Sequence, residues 1–227
     1  LDSNMNKNLT TLKNAFSNNY PVYNKIENFS YNNNTPYALV YLYQKDFDNG
    51  TVRITKPGVY VLQENITFNP NKHLDFMPTK QQISSGLYPS DKKAPFHLGF
   101  FGAITIESEG VILDLNNKSI QQSALHNIQQ RFYSIIEVAS SPFVPNQGPS
   151  DFIGDEIHKS ADKLLIMNGT IGLSSHHGIH GNGAKNLILH NLTIENFEVA
   201  GIALNGSKNV IINNVKVQNT FKPIKLL

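Results

Sequence analysis

The sequence predicts an all-β fold: a right-handed parallel β-helix of about five coils with a 23-residue period, an N-terminal arm and cap, and two long loop insertions. Three observations predict it. The segment KLLIMNGTI, from Lys163 to Ile171, recurs as NLILHNLTI from Asn186 and as NVIINNVKV from Asn209, each copy 23 residues after the last. A fixed period of this size is the signature of a solenoid, in which each repeat is one supersecondary unit stacked on its neighbour. The columns of the repeat then identify the unit. Leu164, Leu187 and Val210 form one apolar column, Ile166, Leu189 and Ile212 a second, and Ile171, Ile194 and Val217 a third. Apolar residues that alternate in short runs between Gly and Asn have strand periodicity and leave no room for a helix of ordinary length. Finally, Asn168, Asn191 and Asn214 fall at the same point of each copy. Asn tolerates the left-handed backbone region that a corner demands, and stacked Asn amides form hydrogen-bonded ladders between coils.

Taken in order, residues 1–50 carry no matched repeat and are rich in Asn; they read as the arm and cap, with the strand-like ALVYLYQ (Ala38 to Gln44) as their one ordered run. An end cap is expected because an open solenoid end exposes core and strand edges. Residues 51–227 form the helix. NITF at Asn65 and NKSI at Asn117 match the later NGTI and NLTI, which extends the ladder to Asn65, Asn117, Asn168, Asn191 and Asn214. The longer intervals between the first members are insertions, about 69–99 and 121–162. Within the second, SIIEV (Ser134 to Val138) reads as the strand equivalent to GIHG and GIAL. The end of the chain, KPIKLL, starts another GIAL-like strand, so the C-terminal coil is expected to need a chain continuation or a protein partner.

Composition narrows the functional classes. The net charge is +2 and only Arg53 and Arg131 are arginine, so no basic stripe is present to neutralise phosphates, and no nucleic-acid partner is expected. Cysteine is absent, which removes disulfides and thiolate metal sites. No apolar run approaches a membrane span. Of the Asn-X-Ser/Thr sequons, those at Asn65, Asn117, Asn168 and Asn191 lie on the ladder, where the Asn belongs to a corner, so they are by-products of the repeat.

The Asn ladder, the NxTI unit and the NGxKN unit resemble those of the pectin-lyase-like superfamily of right-handed parallel β-helix proteins, over roughly residues 51–227. The superfamily holds polysaccharide lyases and glycoside hydrolases as well as adhesins, tailspikes and viral surface proteins. In its enzymes the cleft lies along the sheet equivalent to GIHG and GIAL. That resemblance implies an outward column of Glu137, His180, Ala203 and Lys225, with His176 and His177 beside it. The histidines and Glu137 are the candidates for general acid or base chemistry, and Arg131, Glu137, His180 and Lys225 for binding. No cofactor is implied by the residues; for calcium, Asp151, Asp155 and Glu156 are the candidate oxygen ligands. The enzymes' remaining signatures are missing: no Asp-Asp pair, no Asn-Thr-Asp, no Arg-x-Lys after the histidine. The aromatics of the insertions, among them Phe143 and Phe152, are expected to pin the loops. The expectation is therefore a non-catalytic structural or glycan-binding protein of a cell or virion surface, extracellular, with a polysaccharide lyase or glycoside hydrolase as the alternative.

Overall fold

A computed structural model of the chain describes residues 38–48, 50–69, 102–129, 134–139 and 161–219. These residues are mostly strands, every pairing between them is parallel, and two sheets result. Strands of one sheet come from successive repeats, an arrangement compatible with a β-solenoid. The first sheet has seven strands: β1 (Ala38–Leu42), β3 (Gly58–Leu62), β6 (Val111–Gln122), β8 (Asp162–Gly172), β10 (Lys185–Glu195) and β12 (Lys208–Gln218) in that order, with β4 (Ile66–Phe68) also on β6. The second has five, in the order β11 (Ala200–Asn205), β9 (His177–Asn182), β7 (Ser134–Ala139), β5 (Gly102–Ile106) and β2 (Val52–Ile54).

The sequence suggests three short strands per repeat, and the structure fuses two of them. β8, β10 and β12 run through the asparagine corner without losing register, because the bend is a single left-handed residue: φ is 59° at Asn168, 52° at Asn191 and 50° at Asn214. The register steps by the sequence period, pairing Leu187 with Leu164 and Val210, and Ile194 with Ile171 and Val217. Columns that are apolar in the sequence thus become stacked layers. Leu113, Ile166 and Leu189, one above the other, are all fully buried, as are Ile104, Ile136 and Ile179 of the second sheet. Each buried aliphatic side chain contributes about 1.5–3 kcal/mol, so stacking stabilises every coil through its neighbours. Gly178 and Gly201 enter the second sheet where Ile194 and Val217 crowd the backbone: a Cβ would lie 2.6 Å from Ile194 Cγ2 and 2.5 Å from Val217 Cγ1 respectively.

The ladder differs from its expected course in the first coils. Asn214 Nδ2 donates to Asn191 Oδ1 at 2.9 Å, and Asn191 Nδ2 to Asn168 Oδ1 at 3.0 Å, but Asn168 Nδ2 then donates to Asp114 Oδ1 at 3.2 Å rather than to Asn117. β6 carries a bulge between Asp114 and Lys118, with both Asn116 and Asn117 left-handed, so two residues turn the corner that one turns elsewhere. The displaced amides find backbone instead: Asn116 Nδ2 donates to Leu62 O at 3.0 Å, and Asn65 Oδ1 accepts from Ser119 N at 2.9 Å. A second ladder runs along the start of the same strands, Asn209 to Asn186 to Asp162 at 3.0 and 2.7 Å. A third pairing joins Asn205 to Asn182 at 3.0 Å.

The second insertion also starts later than its expected boundary at 121. β6 continues through Gln121 and Gln122, which pair with Thr67 and Phe68, and α2 (Ala124–Gln129) follows. At the N-terminal end, α1 (Gln44–Phe47) places Phe47 in the core with no exposure. Its Gln44 side chain completes the backbone of β4, donating to Thr67 O at 3.0 Å and accepting from Thr67 N at 2.8 Å. Among the described residues, Phe47 and Gln44 are thus the side chains that cover the core and the β4 edge there.

Candidate functional site

Register in the five-stranded sheet brings Arg53, Thr105, Glu137, His180 and Ala203 into one lateral column. The sequence expectation of a shared column for Glu137, His180 and Ala203 agrees with this. The middle of the column is not open. Glu137 and His180 are each 1% exposed. His180 Nδ1 lies 2.9 Å from both carboxylate oxygens of Glu137, and Ser134 Oγ donates to Glu137 Oε2 at 3.0 Å. An Nδ1–H donated to the carboxylate leaves Nε2 as the acceptor, and Asn205 Nδ2 faces it at 3.3 Å. The ring of His177 stacks on that of His180 at 5.2 Å and 17°, with His176 edge-on to His177 at 4.0 Å.

Local sequence explains this clustering. The parallel register sets Ser134 beside His177 and Glu137 beside His180 in adjacent coils, and the short bond from Ser134 to Glu137 closes the group. Ser174 braces the approach: its Oγ donates to His177 O at 2.7 Å and accepts from His176 N at 3.2 Å. Burial sets the electrostatics. Desolvation pushes the Glu137 carboxyl above its ordinary range, opposed by the hydrogen bonds and charge of His180 and by Ser134. His177 is pulled down to about 4, first by desolvation and then by His176 and His180.

Two further polar groups escape the sequence reading. On the same outer face, Arg53 grips Glu107 with two parallel bonds, Nε to Oε2 at 2.8 Å and Nη2 to Oε1 at 2.7 Å, and Thr105 Oγ1 donates to the same carboxylate at 3.0 Å. Outward positions of VRI and AITIE supply them, a signal available once the strands are aligned. Behind the histidines, Gln122 ties three segments together. It donates to His126 Nδ1 at 2.7 Å and accepts from Asn127 Nδ2 at 3.1 Å and from Ser175 N at 2.6 Å. His126 is buried, packs edge-on to Phe68 at 5.3 Å, and has its pKa lowered to about 4 by desolvation.

Of the other candidate residues, Arg131, Asp151, Asp155, Glu156 and Lys225 lie outside the described residues, as do Phe143 and Phe152. Among the described residues no group of three or more His, Asp or Glu side chains is placed to hold a metal ion, and no helix is long and apolar enough to cross a membrane. No protein-family model matches the chain, and no curated protein or solved structure matches it significantly.

Proposed function

We propose that the chain is a right-handed parallel β-helix of about five coils, of the pectin-lyase-like kind, with a non-catalytic structural or glycan-binding role at a cell or virion surface. The supporting observation is the sealing of the Glu137–His180 pair at 1% exposure each, with carboxylate oxygens and ring nitrogens turned onto each other, Ser134 and Asn205. A general acid or base acts within about 2.6–3.2 Å of the proton it moves, and a pair this enclosed has no open approach. Its work is to join coils. The ladder amides are among the polar groups that do face solvent. Asn191, Asn209 and Asn214 are exposed, and a primary amide has two N–H groups and two lone pairs, of which the ladder takes part. Rows of amides at about the 4.8 Å strand spacing suit the hydroxyls of an extended glycan.

One observation favours the second reading, a polysaccharide lyase or glycoside hydrolase. A histidine whose Nδ1 is held by a carboxylate presents Nε2 as a base, the arrangement that acid–base catalysis uses. A screen of acidic and neutral polysaccharides decides between them. The structural role is supported by glycan binding without turnover, and by a His180→Ala chain that loses thermal stability. Turnover that vanishes in His180→Ala while the fold persists establishes the enzyme instead.

A further inference from the structure

One outward face of the seven-stranded sheet is both apolar and buried. Before the asparagine corner, side chains alternate between the core and the outside: Leu164 and Ile166 belong to the core cluster, while Leu165 and Met167 point away from it. Register stacks Leu165 with Ile112 and Val59 on one side and with Ile188 on the other. These outward residues are 8% exposed at Val59, 2% at Ile112, 2% at Leu165 and 1% at Ile188, as deeply buried as the core itself. Among the described residues, the elements packed against β6, β8 and β10 are the other strands of the stack, which lie beside this face and not over it. Strand neighbours alone do not bury an outward column. Past the corner, the outward column of the same strands is Ser119, Thr170 and Thr193, and each is partly exposed. An apolar outer face with almost no exposure needs a second layer upon it.

We propose that this stripe is the docking surface of the chain's own second insertion, residues 140–160, which lie outside the described residues. Its place in the chain commits the occupant. β7 ends at Ala139 and β8 begins at Asp162, whereas the same connection runs only from Asn182 to Lys185 in the next coil and from Asn205 to Lys208 in the one after. The extra residues therefore leave the stack and rejoin it at the corner that opens onto the first arm of β8, three residues before Leu165. The other insertion starts from the opposite corner, since the chain between β4 and β5 joins the second arm to the five-stranded sheet. Residues 1–37 enter at β1, where the stripe is least covered and Leu39 is 36% exposed. Cover is deepest on β6, β8 and β10, around the point where residues 140–160 emerge, and it fades to partly exposed at Ile211 of β12. The segment has the apolar groups to lay there: Phe143, Val144, Phe152, Ile153 and Ile157. The first arm is then occupied by the chain itself, and a ligand of this sheet is left the second arm, with Thr170 and Thr193.

The chain has no cysteine, so a single introduced thiol reports cover directly. In the 227-residue chain, Leu165→Cys is expected to react with an aromatic disulfide reagent about a hundredfold more slowly than Thr193→Cys, because its thiol must wait for local opening. Replacing residues 140–160 by one glycine, the counterpart of Gly183 in the next coil, is expected to bring Leu165→Cys to the rate of Thr193→Cys. Circular dichroism, and a Leu189→Cys thiol that stays protected in the core, verify that the shortened stack is folded. Removing residues 1–37 instead is expected to leave Leu165→Cys protected. Should the shortened chain fail to fold, Phe143→Ala with Phe152→Ala in the 227-residue chain takes its place, and Leu165→Cys is expected to react about tenfold faster there. Fast reaction of Leu165→Cys in the 227-residue chain overturns the proposal, since the stripe is then open. So does protection that survives the shortening, protection lost with residues 1–37, or a rate that the double alanine variant leaves unchanged.

Discussion

The two ends of the molecule solve one problem differently. Both are the outermost described strands of a parallel stack, with an apolar interior and a strand edge to satisfy. At the N-terminal end, Phe47 and Leu42 complete the core at 0% and 4% exposure, and the amide of Gln44 stands in for a strand on β4. At the other end of the described stack, Ile212 and Val217 of β12 continue columns that are buried in the coils below, yet they are about half exposed. A repeat unit thus has no stability of its own to bring; a coil is as stable as what covers it. The difference also separates residues whose sequence column looks identical. Leu189 and Ile212 share one column of the repeat, and only the first is buried.

The largest expected effect follows at the closed end. Phe47→Ala removes the plug and leaves a cavity under α1, at a cost of about 3–5 kcal/mol, whereas Ile212→Ala at the open end costs less than about 1 kcal/mol in the monomer. Urea unfolding of the two variants measures the gap, and equal losses would refute the contrast. The ladder gives the next effect. Asn191 accepts from Asn214 and donates to Asn168, so Asn191→Ala loses two hydrogen bonds and strains a residue at φ 52°. Each of those terms is roughly 1 kcal/mol, and the loss is about 2–3 kcal/mol. Asn214→Ala, with one ladder bond and the same left-handed backbone, is expected to lose about two thirds of that. Asn191→Gly recovers the backbone share alone, which separates strain from hydrogen bonding.

Acid sharpens the comparison because the closed half of the stack buries a neutral histidine. His126, against Phe68, takes a proton only near pH 4 in the folded chain but near 6.5 when unfolded. Between those values the unfolded chain holds more protons, so stability falls as pH drops through that window, by up to about 1.4 kcal/mol per pH unit for one group. His177, lowered to about 4 as well, acts in the same direction. Glu137 acts oppositely, since its raised pKa lets the folded chain keep a proton that the unfolded chain gives up. His126→Asn, which retains an acceptor for Gln122, is expected to flatten the slope by one proton; an unchanged slope in pH-dependent unfolding would show that His126 is solvated.

The all-β, parallel architecture was legible because identical columns report a stack directly: a 23-residue offset in sequence is one strand step in space. So was the meeting of Glu137 with His180, once SIIEV is aligned on GIHG. Two things were not legible. Whether a column is exposed depends on what covers its outer face, and the alternation of a strand says only which way a side chain points. That is why Glu137 and His180 are outward and yet buried. The ladder below Asn168 was hidden for a different reason, since a bulge of one residue moves the amide contact from Asn117 to Asp114 without altering the NxTI pattern. Gln122 and His126 lie beyond any repeat, where offset carries no information.

The smallest expected effect tests whether the closed end is closed by α1 itself. Gln44 spends both ends of its amide on Thr67, and its own backbone N–H donates to Glu64 Oε1 at 2.5 Å. Gln44→Ala leaves the Thr67 N–H and carbonyl at an exposed edge, where water replaces the lost bonds, so the cost in stability is only about 1 kcal/mol. The consequence for association is larger than that figure suggests, because an uncovered strand edge is a template for another chain. If Gln44 is the guard, Gln44→Ala raises concentration-dependent association while Ile212→Asp in the same chain fails to suppress it. If instead Ile212→Asp restores the monomer in that double variant, the edge of β4 is not the new contact, and the two ends differ only in how well their cores are filled.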